Sequence, residues 1–188
     1  PSGTYPTNVD GSTPNPLFKR LPEDFPEIQY SFPEAGNQEY RGVFSANEKT
    51  IRGQYQFIGE GFFNVFPVTF LQGNKQAFPT DKNDVAISES MAKTFFGTPE
   101  NAIGELIELK GGYYPGSYLV KGVFEPNPQN SDPNDVLMNY EVFATDEMME
   151  WYNSGTQPHL VLKEGVDLAA FNKKLSDYLT TLSPNWKD

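Results

Sequence analysis

The side chains able to do acid–base, nucleophilic or metal chemistry are sparse in this chain and poorly spaced for it. Its 188 residues include one histidine, His159, and no cysteine. Without thiols there is no disulfide, no thiolate zinc site and no cysteine nucleophile. His159 follows Gln157-Pro158 in a stretch that reads as a strand. No Gly-x-Ser-x-Gly elbow supplies a nucleophile for it, so it reads as an ordinary strand residue. A single histidine cannot build a zinc site alone. The run Asn130-Ser131-Asp132-Pro133-Asn134-Asp135 is rich in the oxygens that calcium takes. It lacks the turn glycine and the trailing glutamate of an EF-hand. It reads as a polar connector, with an ion held at Asp132–Asp135 as the alternative. Gly59-Glu60-Gly61 and Gly111-Gly112 are followed by neither the Lys-Ser/Thr of a phosphate loop nor a third glycine, and both read as turns. Asp132/Asp135 and Glu147/Glu150 are near pairs of the kind a glycosidase uses. In a chain with 25 acidic residues such pairs arise anyway, and a solvated face is the better reading. No catalytic, cofactor-binding or metal-binding residue is expected, and the chain does not read as an enzyme.

The feature that stands out is aromatic. Gly111-Gly112-Tyr113-Tyr114-Pro115-Gly116 is a turn-rich tip between two strand-like runs, and Tyr118 follows it. Exposed aromatics on a turn mark contact surfaces. Tyr113, Tyr114 and Tyr118 are therefore the candidate contact surface. The alternative is that the rings fold back over the sheet, since aromatic bodies cover apolar surface readily.

Bulk properties exclude other classes. The formal net charge is −11, and the basic residues are scattered. A nucleic-acid or anionic membrane surface would repel such a chain, so no nucleic-acid partner is expected. No apolar run approaches the ~20 residues of a membrane helix. The sequence begins at Pro1 without a signal-peptide pattern and reads as a piece of a longer protein.

The elements that must carry these residues are short. Residues 1–16 read as a flexible arm. Leu17–Leu21 suggests a helix limited by Pro22 and Pro26. Alternation predicts strands over 27–33, 39–46 and 50–58. A brief helix at Phe62–Phe66 and a strand at Val68–Leu71 follow. Val85–Ile87 is a buried strand, and Ser88 and Gly97 cap a helix with the stripe Met91, Ala92, Phe95, Phe96. Leu106–Leu109 and Tyr118–Phe124 form a hairpin around the aromatic tip. Residues 125–135 read as a connector, Tyr140–Phe143 as a strand, Asp146–Tyr152 as a helix and His159–Leu162 as a strand. Asp167 caps the clearest helix, with Leu168, Phe171, Leu175, Tyr178, Leu179 and Leu182 at three- and four-residue spacing. Strands and helices in this order indicate an α+β fold.

The order of the segments adds what no single motif gives. Gly61-Phe62-Phe63-Asn64-Val65-Phe66 leads to Phe70-Leu71-Gln72-Gly73-Asn74, then to Asp84-Val85-Ala86-Ile87-Ser88-Glu89-Ser90-Met91-Ala92-Lys93-Thr94-Phe95-Phe96-Gly97. Ala102-Ile103-Gly104-Glu105-Leu106-Ile107, Tyr118-Leu119-Val120-Lys121-Gly122-Val123-Phe124 and Pro128-Gln129-Asn130-Ser131 follow in turn. This series resembles the MacB-like periplasmic core domain of ABC-transporter permeases, over about residues 17 to 182. The loop after Ser131 departs from the pattern: Asp132-Pro133-Asn134-Asp135 stands where the family has His and apolar residues.

The resemblance implies a periplasmic domain of an inner-membrane protein, inserted between its first two transmembrane helices. It implies two lobes. Residues 17–36 and 136–188 would form a porter-like α/β lobe, and 37–135 an inserted, mostly β, sabre-like lobe. Its partners would be its own transmembrane helices, a cytoplasmic ATPase, and a periplasmic protein or exported substrate. The role implied is transmission of ATP-driven motion. A free-standing binding module for a glycan or peptide, using the Tyr113–Tyr118 aromatics, is the alternative.

Overall fold

The computed structural model of the chain describes residues 13–36, 40–125 and 134–182. Ten strands join in a single sheet, and six of them close on themselves. The ring runs β3 (Arg41–Ala46), β4 (Lys49–Ile58), β9 (Val136–Asn139), β6 (Asp84–Ser88), β8 (Gly116–Glu125) and β7 (Leu106–Lys110), and β7 pairs back to β3. Two links, β4–β9 and β6–β8, are parallel and the rest antiparallel. Closure removes the unpaired edges that an open sheet exposes.

The two-residue period of the strands decides the filling of this barrel. Phe44, Tyr55, Phe57, Val85, Ile87, Ile107, Leu109, Tyr118, Val120, Val136 and Met138 are buried in one cluster. Gly42 and Gly53 stand opposite each other on β3 and β4, in step with these residues. A Cβ at Gly42 would lie 2.2 Å from Leu109 Cδ1, so a larger residue there would force the Leu109 side chain to move. One end of the barrel is closed by α3 (Glu89–Phe96), through Met91, Ala92 and Phe95. As the sequence suggests, the Ser88 hydroxyl accepts from the Met91 N–H at 3.3 Å, and Gly97 terminates the helix at φ 86°.

The outer face of β4, β6, β8 and β9 is covered too. Ile58, Ala86, Phe124 and Leu137 pack there with Phe62 of α2 (Phe62–Val65), Phe78 and Phe32. β5 (Thr69–Gly73) pairs with the end of β8.

Outside the ring, the first and last described segments are joined. β2 (Ile28–Ala35) and β10 (Ser154–Leu162) pair antiparallel from Ala35↔Thr156 to Ile28↔Leu162. β2 meets β4 only at Glu34↔Ile58 and Ala35↔Phe57. Helices α1 (Leu17–Asp24) and α5 (Leu168–Leu182) share a third core with Phe25 and Ile28. The contacts gather at the end of α1: Phe171 and Tyr178 both pack on Phe25, and the Tyr178 hydroxyl donates to Asp24. Lys174 bonds Glu27 at 2.7 Å and covers the Phe25 ring. The Asp167 carboxylate caps α5, accepting from Ala169 and Ala170 N–H at 2.9 and 3.1 Å, as the sequence predicts.

Four expectations change. Tyr140–Phe143 is a helical turn, α4, and not a strand. The strand is the preceding β9, paired on both edges and buried on both faces, Val136 and Met138 in the barrel and Leu137 under Phe32 and Phe62. Such a strand shows a continuous apolar run and not alternation. Asn139 then caps α4, its Oδ1 accepting from Glu141 N–H at 3.0 Å. Residues 145–152 make turns, not a helix. Within the arm expected over 1–16, Thr13–Pro14 form β1 and pair with β10, while residues 1–12 lie outside the described residues. A division at 135/136 separates β9 from the strands it pairs with; the ring itself ends at Asn139.

Candidate functional site

The aromatic tip rises from the β7–β8 hairpin at the end of the barrel opposite α3. Its three tyrosines have different fates. Tyr118 points inward by the strand period; it is 3% exposed and its hydroxyl donates to the Tyr114 carbonyl at 2.8 Å. Tyr114 folds back as a lid, its ring 4.8 Å from Phe57 and 6.2 Å from Phe143. Burial pushes both hydroxyls above their ordinary range. Tyr55 lies beneath them, and burial raises it to about 12. Only Tyr113, 81% exposed and edge-on to Tyr40, faces solvent. The expected surface therefore reduces to one ring, because Tyr114 and Tyr118 serve the core. A second aromatic pair, Trp151 and Tyr152, is exposed on the turns after α4.

His159 sits on β10 opposite Phe32 and stacks on that ring at 4.9 Å. Its Nε2 lies 2.8 Å from Glu34 Oε2, and Phe66 closes the other side edge-on. No hydroxyl shares this arrangement among the described residues, and the pair cross-ties β2 to β10. Of the acidic pairs, Asp132 lies outside the described residues. Asp135 is turned into the fold: its Oδ2 accepts the Gln54 N–H at 3.0 Å. Glu147 and Glu150 are exposed on a turn closed by the Glu150 N–H to the Glu147 carbonyl. Among the described residues no group of three His, Asp or Glu is placed to hold a metal. No helix among them is long and apolar enough to cross a membrane.

Burial raises the Asp135 carboxyl above its ordinary value. The ionised form is thus less favourable in the fold than in the unfolded chain. That cost is present above the folded pKa and disappears below the unfolded value of about 3.9. Asp135→Asn, whose Oδ1 can still accept from Gln54, is expected to be more stable than the parent at pH 7. The advantage shrinks toward pH 3.5, and urea melts at the two pH values measure it.

Beside Asp135 a cleft of about 500 Å³ opens over the β3–β4 ribbon, with Arg41 and Arg52 on its walls. The sequence carries the signal for it: two Arg-Gly dipeptides, 41–42 and 52–53, which only the strand register sets side by side.

Residues 2–178 match the MacB-like periplasmic core domain. The chain belongs to that family. It is thereby a periplasmic domain of the ABC-transporter permease class, and the α+β expectation holds in its sheet-dominated body. Three solved structures share the fold of this MacB-like domain. A domain of a candidate permease protein from Porphyromonas gingivalis is 18% identical, with a TM-score of 0.74 over 93% of this chain and 79% of that one. The periplasmic region of MacB from Actinobacillus actinomycetemcomitans is 18% identical, with a TM-score of 0.64 over 87% and 71%. The extracellular domain of the ABC-type transporter YknZ from Gram-positive bacteria is 15% identical, with a TM-score of 0.65 over 96% and 89%. No match was found among curated proteins.

Proposed function

We propose that this MacB-like domain transmits ATP-driven motion of permease membrane helices to a substrate or protein partner outside the membrane, and does no chemistry itself. One observation carries the reading. The first and last described segments are clamped to each other, by β2–β10 pairing and by α1 against α5. The barrel is attached to them by the short β2–β4 pairing and by Phe32 of β2 packed on its outer face, which together form the link. Motion imposed on the paired ends would thus reach the barrel through that link, in the manner of hinge and shear transitions. In this reading α1, β1, β2, β10 and α5 form the porter-like lobe and the ring forms the sabre-like lobe. The ATPase acts from the cytoplasmic side, and Tyr113 offers an exposed aromatic anchor to the partner.

The test uses the full-length permease with its ATPase. Spin labels at Glu108 on β7 and Lys173 on α5, both exposed, report the distance between ring and paired ends. Trapping the ATP-bound state is expected to move that distance by several ångströms. An unchanged distribution with and without ATP sinks the proposal. Activity that survives His159→Ala and Glu34→Gln supports the non-catalytic half of it, and loss of activity in stably folded variants opposes it.

A further inference from the structure

The chain has three arginines. Arg20 is held by Glu23 and Asp24. The side chains of the other two, Arg41 and Arg52, make no ion pair or hydrogen bond with any described residue. Both are exposed, and both line the same cleft. Register explains the convergence. Arg41 stands opposite Gln54, and Val43 opposite Arg52, so all four side chains leave the ribbon on its outer face. The arginines are diagonal neighbours, about 7–8 Å apart at the backbone. That spacing suits two guanidiniums gripping one small acid between them. The backbone of Gly42 and Gly53 lies between them, and Asp135 ends the cleft.

Charge narrows the occupant. Among the described residues two cations and one carboxylate line the cleft, a net positive lining on a chain whose net charge is −11. Asp135 offsets one of the two charges but forms no ion pair with either arginine, its Oδ2 accepting the Gln54 N–H. A polyanion would meet the repulsion of the whole surface. A singly charged group with two oxygens meets only the local field and matches the planar guanidinium fork. We propose that this cleft binds a carboxylate group carried by a ligand outside the membrane, its oxygens shared by Arg41 and Arg52 and its third donor the Gln54 amide.

The experiment follows the arginine Nε–H resonances of the 188-residue chain during titration. The probes are N-acetylglycylglycine, its C-terminal amide, acetate and inorganic phosphate. N-acetylglycylglycine is expected to shift Arg41 and Arg52 saturably and to leave Arg20 still, and its amide to shift neither. Arg41→Gln and Arg52→Gln each weaken binding by roughly tenfold or more, the scale of one hydrogen bond to a charged group. Arg41→Lys keeps the charge but loses the fork, and weakens binding as well. Acetate that saturates as readily as the peptide supports a free small acid as the ligand. Acetate that binds much more weakly supports a peptide end. Tighter binding of phosphate overturns the carboxylate assignment. Shifts that stay linear with concentration, or survive both Arg→Gln variants, overturn the site.

Discussion

Replacing Phe57 with alanine is expected to lower the stability of the domain by about 3–5 kcal/mol. Phe57 is fully buried on β4 where the ring of strands meets the paired ends. Four aromatic rings, Tyr40, Tyr55, Tyr114 and Phe143, surround it at centroid distances of 4.8 to 5.7 Å. Rings this rigid cannot collapse into the space a phenylalanine leaves, so the cavity cost adds fully to the lost transfer energy. The effect reaches the surface too. Tyr114 loses the ring it covers, and Tyr113 loses the support of its neighbour. Urea denaturation reads the stability change, and a loss below about 1.5 kcal/mol would show that the aromatic end repacks freely. Phe57→Leu, which keeps most of the volume, should lose much less.

The second large effect is polar. Asn15 is fully buried at the junction of β1, β10 and the turns after α4. Its Nδ2 donates to the Met148 carbonyl at 2.6 Å. Its Oδ1 accepts from the Thr156 N–H at 2.9 Å and from the Thr156 hydroxyl at 2.8 Å. Tyr140 completes the chain, its hydroxyl 2.6 Å from Thr156 Oγ1. Asn15→Ala strands a buried N–H and a buried carbonyl, each costing about 1–3 kcal/mol. A total loss of roughly 2–4 kcal/mol is expected, together with faster amide exchange at Thr156. The readout separates this from a general weakening: exchange in β6 and β8, across the barrel, should change only as much as global stability does. Unchanged protection at Thr156 would mean that water replaces the side chain.

Much of this architecture is written in local signals, and what is missing from them has a physical pattern. Ser88, Gly97 and Asp167 announced their helices because capping is a contact between near neighbours in sequence. The β7–β8 hairpin was legible for the same reason. β9 was not, because Val136-Leu137-Met138 is buried on both faces by side chains that lie far away in sequence. The tyrosines divided on the same principle. Alternation assigns Tyr118 to the interior once the register is known, but nothing local tells that Tyr114 will find Phe57. The Arg41–Arg52 cleft depends on β3–β4 pairing, so the two Arg-Gly dipeptides meant little apart. Asn15 reads as one more residue of a polar arm until Thr156 is placed beside it.

The closed ring has a consequence for how the chain acquires its shape. Its closing links bring residues 55–58 to 136–139 and 85–87 to 136–138. A nascent chain therefore exposes the open flanks of β4 and β6 until Val136–Asn139 has emerged and settled between them. Pairings between segments this distant form slowly, because the loop must close before its contacts reward it. The four residues of β9 act as a late keystone. An error there leaves two adhesive strand edges open for as long as the delay lasts.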